Sequence, residues 1–165
     1  IFAGLGLLII LSIIDLRTFL LPNKYVFSFA LCGLAFHFFS EFYTLDVKDI
    51  ILGGVVGYGI LYVIRAAGNR YYGQDSLGLG DVKLLGAGGL WLGLEGVLIA
   101  MTLGAFFGLC HGLIVACYNK IKTSDPFTFA RLTIPAGPGF ALGIIFVFGW
   151  NNQNFIQRLL LELLP

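Results

Sequence analysis

The chain has 165 residues, of which 58% are hydrophobic and 12% charged, with a formal net charge of +1. The charged share is about half that of ordinary soluble domains, and the mean hydropathy is +0.92. A water-soluble globule of this size could not hide so much apolar surface in one core, so a bilayer is expected to supply the missing apolar environment. The 23 glycines are too many for soluble helices, where each costs about 1 kcal/mol relative to alanine. They suit membrane helices, whose backbones approach one another through small residues. Cys32, Cys110 and Cys117 lie in apolar stretches without paired CxxC spacing, which predicts neither a disulfide framework nor a zinc site.

Apolar runs at 1–14, 25–43, 50–66, 82–93, 96–118 and 135–151 predict the spans. Ile1 to Ile14 is short of the ~20 residues that cross a bilayer, and reads as the end of a membrane helix that begins upstream. Pro22 and Asn23 suit the turn that starts the second helix. The run at 82–93 is also short, so it is tilted, kinked at its glycines or buried among the others. Residues 65–80 form the longest candidate for a mobile loop, because Gly68, Asn69, Gly73 and Gly78 favour turns over continued helix. The tail at 151–165 is amphipathic and suits the interface. The expected fold is all-α, one polytopic membrane domain over 1–165 with about six transmembrane helices.

Counting Lys and Arg on alternate sides sets the orientation. One side receives Arg17, Lys24, Arg65, Arg70, Lys83, Lys120, Lys122 and Arg131, and the other only Lys48 and Arg158. The side that carries Asp15 and Asp81 is therefore expected to face the cytoplasm.

These aspartates are the candidates for chemistry. Asp15 ends an apolar run in ILSIIDLR, and Asp81 opens another in LGLGDVKLL. An ionisable group at the centre of a membrane helix costs ~3 kcal/mol and a boundary position less, so either residue taken singly fits a solvated helix end. Together they could meet at one membrane edge. Two carboxylates placed close together share a proton and so provide an acid and a base in one site, which is what hydrolysis of a peptide bond requires. Asp81, at the positive end of its own helix, is expected to be the base, and Asp15, at a helix C-terminus, the protonated partner. Gly78 and Gly80 would allow unusual dihedrals and let an extended substrate run close to the loop.

Around the pair, Arg17 and Lys83 would orient substrate or merely set topology. Pro135, Gly137, Pro138 and Gly139 would break a helix near the site or form a packing bend. His37 and His111 lie in apolar runs without ligand-spaced companions, which favours packing or internal hydrogen bonding. The aspartates are also compatible with a small transporter or channel using them as proton or cation sites, or with a noncatalytic membrane subunit of a pilus or secretion assembly.

The segments DLRTFLLPN at 15–23, GLGDVKLL at 78–85 and IPAGPGFALG at 134–143, in this order, resemble the type IV prepilin peptidases, a branch of the GxGD membrane aspartyl proteases. Presenilin-like relatives would carry a Pro-Ala-Leu element, whereas residues 135–138 read Pro-Ala-Gly-Pro. The resemblance covers nearly the whole chain. It implies a multi-pass protein of the bacterial inner membrane, with Asp15 and Asp81 as the catalytic pair on the cytoplasmic side. The implied substrates are prepilin or pseudopilin precursors with a short basic leader and a hydrophobic helix, entering from membrane lipid. No cofactor, metal or nucleic acid is implied. Longer members carry a domain with paired CxxC motifs that methylates the new N-terminus; nothing in these residues matches it, and methyltransferase activity is not assigned to them.

Overall fold

The computed structural model describes residues 1–41, 45–123 and 136–153. Their regular structure is helical throughout: α1 Phe2–Thr18, α2 Asn23–Phe39, α3 Val47–Tyr72, α4 Leu79–Thr123 and α5 Gly137–Asn151. Val47–Tyr72 and the stretch Leu79–Cys117 are long and apolar enough to cross a membrane, and Gly137–Asn151 is a shorter apolar helix. Large apolar side chains cover the outside as well as the inside, with Ile13, Phe27, Val55, Val63, Ile114 and Phe146 all exposed. A soluble monomer rarely exposes a continuous apolar patch beyond a few hundred Å². Lipid accounts for this exterior.

The helix limits follow local signals. After α1, Phe19 takes a left-handed conformation (φ 54°) and its N–H donates to the Asp15 carbonyl. Pro22, extended at ψ 129°, then precedes Asn23, where α2 starts as expected. α3 departs from expectation. It continues through Gly68 and Asn69 to Tyr72 and stops at Gly73, whose φ of 66° suits a residue without a Cβ. The expected mobile loop from 65 to 80 is mostly helix, followed by a short tethered turn. The turn signals were overridden because Asn69 and Arg65 spend their side chains on holding that turn, with Asn69 Oδ1 accepting from the Ser76 N–H (2.8 Å).

α4 is the central element, in contact with α2, α3 and α5, while α1 rests on α2 and α5. Its contact with α3 is backbone to backbone. A Cβ built on Gly53 would stand 2.5 Å from the Gly89 carbonyl oxygen, and one on Gly89 would overlap the backbone of Gly53. Close approach of this kind replaces side-chain interdigitation where no hydrophobic effect drives helices together.

Inside α4, Gly93 has φ 70° and ψ −173° and divides the helix into two arms. The break falls between the runs expected at 82–93 and 96–118. Breaking a helix frees the carbonyls of the turn before the break, and one that is buried needs a donor from the protein. His37, almost fully buried at the end of α2, answers this: its Nε2 lies 3.2 Å from the Trp91 carbonyl oxygen. Facing a carbonyl, that nitrogen must be the donor. The expectation of internal hydrogen bonding for His37 is met. Trp91 itself is the core's keystone: it stacks on Phe29 and Phe36, with ring centroids 5.3 and 5.6 Å away, and donates its Nε1–H to the Phe29 carbonyl at 2.9 Å.

The bundle thus has two poles. The ends of α1 and α3 share one with the starts of α2, α4 and α5, tied by Lys83 Nζ donating to Asn23 Oδ1 at 2.8 Å. At the other, Leu45 and Asp49 adjoin the Gly93 break.

Replacing His37 by leucine leaves the Trp91 carbonyl buried without a donor. The expected cost is about 1–3 kcal/mol, read as a lower unfolding midpoint in detergent, with His37→Gln losing less because it keeps a donor. A His37→Leu protein as stable as the parent would show that the break needs no cap.

Candidate active site

Asp15 belongs to the inward stripe of α1: Gly4, Leu8, Leu11 and Asp15 are its buried residues, at helical spacing. The carboxyl therefore points into the bundle, and the residue is only 4% exposed. There Oδ2 accepts a hydrogen bond from the backbone N–H of Gly137 at 3.0 Å. Gly137 is the first residue of α5, and Pro138 follows in its first turn, where proline costs no intrahelical hydrogen bond. A Cβ at 137 would lie 2.6 Å from Oδ2, so only glycine lets the amide come this near.

Asp81 stands in the first turn of α4 and is 7% exposed. The Gly78 carbonyl accepts from the Asp81 and Val82 amides, at 3.2 and 3.4 Å, and starts the helix. Asp81 Oδ1 is buried with no hydrogen-bond partner among the described residues. Helices α1 and α4, far apart in sequence, bring both carboxyls to the same pole.

The surroundings of the two carboxyls differ from those that their own helices imply. Asp15 was expected to feel only the negative end of its own helix, but it also faces the amino terminus of α5 and receives one of its free N–H groups. Asp81, expected to be the better acceptor, has an oxygen without a donor. The role of an amide from α5 was invisible because it depends on which helix start packs against α1.

The two glycines of the GLGD turn divide their labour. Neither has positive φ, since Gly73 and Gly93 are the glycines that do among the described residues; unusual dihedrals are not their purpose. Gly78 is exposed, and a Cβ there would come 2.8 Å from Asp81 Oδ2, so bare backbone borders the carboxyl. Gly80 does not offer room to a substrate. Its open side is filled by Leu21, whose Cβ would be 2.7 Å from a Cβ at position 80. The DLRTFLLPN and GLGDVKLL segments therefore interlock at this contact.

Of the other candidates, Arg17 is exposed in the last turn of α1 and, two residues from Asp15, points away from it. Lys83 binds Asn23 and ties α4 to α2 rather than touching Asp81. Pro135 lies outside the described residues. Among those described, no group of three or more His, Cys, Asp or Glu could hold a common metal ion. Sequence reasoning missed Leu21 and the bonds that Arg65 donates to Asp75 and to the Leu77 carbonyl. Only the spacing of Arg65 and Asn69, one helical turn apart and ahead of Asp75, hinted at the latter.

The model of the type IV leader peptidase family matches residues 2–113. The chain is 33% identical to the prepilin leader peptidase/N-methyltransferase of Pectobacterium carotovorum subsp. carotovorum over 150 residues, 91% of this chain and 50% of that protein. It is 29% identical to the protein of the same name from Escherichia coli strain K12, over 85% of this chain and 58% of that one. For the one from Aeromonas hydrophila the identity is 31%, over 90% and 51%. The chain spans about half the length of these curated relatives. No solved structure matches it.

The Leu21–Gly80 contact can be weighed directly. Gly80→Ala is expected to destabilise the protein by about 1–3 kcal/mol through overpacking. Because the nearest atom is the Leu21 Cβ, Leu21→Gly and not Leu21→Ala should recover part of the loss in a double-mutant cycle. Thermal unfolding of the four variants in detergent measures it; strictly additive effects would deny the contact.

Proposed function

Because the chain belongs to the type IV leader peptidase family, we propose that it is an intramembrane aspartyl endopeptidase that cleaves the leader from type IV prepilin or pseudopilin precursors, with Asp15 and Asp81 as its catalytic pair. The observation that carries this reading is the placement of two buried carboxyls at the same pole of a largely apolar bundle. Buried ionisable groups in membrane proteins are expensive and concentrate where function needs them.

The hydrogen bonds support a division of labour. Asp15, held as an acceptor by the Gly137 amide, is the carboxylate that takes a proton from water. Asp81, with Oδ1 free of any donor among the described residues, carries the proton of the pair. Water attacks the scissile carbonyl carbon as Asp15 takes its proton, and Asp81 gives its own to the carbonyl oxygen. The tetrahedral diol then collapses: the C–N bond breaks, the leaving nitrogen receives the proton held by Asp15, and Asp81 recovers one from the diol. Atoms and charge balance with no covalent enzyme intermediate. An unwound substrate strand would lie over the exposed backbone of Gly78, beside Asp81.

The membrane arrangement is proposed on the same basis. α1, α2, α3, the two arms of α4 and α5 would make six crossings of the bacterial inner membrane. Among the described residues with placed side chains, Arg17, Lys24, Arg65, Arg70 and Lys83 lie at the aspartate pole and Lys48 at the other. That bias favours a cytoplasmic site.

Asp15→Asn and Asp81→Asn are each expected to lower cleavage of a prepilin-like substrate in membranes by about 100-fold or more, with folding retained. Cleavage unchanged in either folded variant would rule out the two-aspartate mechanism.

A further inference from the structure

Between α3 and α4 the chain turns through residues 73–78, and this turn is clasped. Arg65, three-quarters of the way along α3 and 19% exposed in its side chain, donates from Nε to the Leu77 carbonyl at 2.8 Å and from Nη2 to Asp75 Oδ1 at 2.6 Å. Asn69, one helical turn on, donates to the same Asp75 oxygen at 2.8 Å and accepts from the N–H and the hydroxyl of Ser76, at 2.8 and 3.0 Å. Gly68 completes the fit, since a Cβ there would overlap the Ser76 hydroxyl. Asp75 is 76% exposed, so its ion pair alone contributes little. The contact to Leu77 is of a different kind. The Leu77 carbonyl belongs to the peptide unit that leads into Gly78. The next carbonyl, that of Gly78, accepts the Asp81 and Val82 amides, and a Cβ on Gly78 would come 2.8 Å from Asp81 Oδ2. A guanidinium fixed on α3 thus sets the position of the turn from which Asp81 is presented.

We propose that Arg65 is a positioning residue for Asp81, acting through the Leu77–Gly78 peptide. The consequence for activity rests on the proposed peptidase reading; the consequence for backbone order does not. A lysine keeps the positive charge, and with it the topological bias, but lacks the planar fork that reaches a carbonyl and a carboxylate together. Displacement of Asp81 by a fraction of an ångström would act on turnover rather than on binding, since orientation of reacting groups is worth up to about 100-fold per ångström.

The experiment compares the full chain with Arg65→Lys, using Arg70→Lys, an exposed arginine on the same helix end, as control. Two readouts are taken in detergent or lipid: hydrogen exchange along the backbone, and steady-state cleavage of a prepilin-like substrate. The expected result for Arg65→Lys is exchange about tenfold faster at the Asp81 and Val82 amides, with protection in α2 and α5 unchanged. With it, kcat should fall about tenfold and KM stay within about twofold, while Arg70→Lys matches the parent. Unchanged exchange at Asp81 and Val82 overturns the proposal, and so does an unchanged kcat in a chain that cleaves. Protection lost evenly through the bundle also overturns it, by making Arg65 a general stabiliser. If the parent chain cleaves nothing while its Asp15→Asn form behaves alike, the peptidase reading fails, and the exchange result alone still decides whether the clasp orders the turn.

Discussion

Where no water is available to complete a hydrogen bond, a polar group that the fold buries is costly unless the protein supplies its partner. The contact between the Gly137 amide and Asp15 Oδ2 is this constraint at its most demanding, because the acceptor is a carboxyl and the donor a backbone group that cannot be moved without moving a helix. To deliver that amide, α5 must begin where α1 ends. Residue 137 must lack a side chain, and the proline that follows must fall in the first turn, where its missing N–H is harmless. Gly139 and Gly143 then let α5 lie against the second arm of α4 with backbone nearly touching backbone. The position of a whole helix is set by what one carboxyl needs.

The same constraint governs the opposite pole. The break at Gly93 gives α4 its two arms, and the freed Trp91 carbonyl is taken up by His37 from α2. The Trp91 side chain, meanwhile, donates back to the Phe29 carbonyl of α2. Two reciprocal bonds therefore weld α2 to the first arm of α4 close to the break. That weld holds the first arm as a rigid body, which matters because Asp81 rides on its other end. The glycine contact between α3 and α4 braces the same arm from the side.

How far the sequence could be read follows from this. The carboxyls and the exposed glycine beside Asp81 were legible because charge and missing side chains stand out against an apolar background. The break near residue 93 was legible as an interruption in a long apolar run. Which face of each helix points inward was not, since Leu8 is buried and Ile9 exposed on neighbouring positions of equal hydropathy. In water the polar face announces itself; in lipid both faces are apolar and the amphipathic signal vanishes. For that reason the packing of Leu21 on Gly80 and the approach of α5 to Asp15 could not be foreseen. The end of α3 was misjudged for another reason: Gly68 and Asn69 carry turn signals locally, but here they serve a turn several residues further on. Pro135 and most of the amphipathic tail fall outside the described residues.

The placement of Asp15 opposite a helix start has a physical cause that reaches to the proposed substrate. Within a helix every amide is already engaged, so a carboxyl pointing at a helix middle finds no backbone donor; the first turn alone leaves N–H groups free. Asp15 faces such a turn, that of α5, and takes its bond from it, whereas Asp81 stands in the first turn of α4 with Oδ1 unpaired among the described residues. A carboxyl that relies on a backbone donor in a helical protein is thereby confined to the level at which some helix begins. The same rule applies to a scissile bond. A peptide inside a helix has its carbonyl and amide occupied, and its carbonyl cannot accept a proton from Asp81 until it is unwound. Under the proposed function, cleavage must therefore fall at the end of a substrate helix rather than within it, and at the depth where the enzyme's own helices start. The site and its substrate would meet there because each is the place where a helix leaves its backbone unpaired.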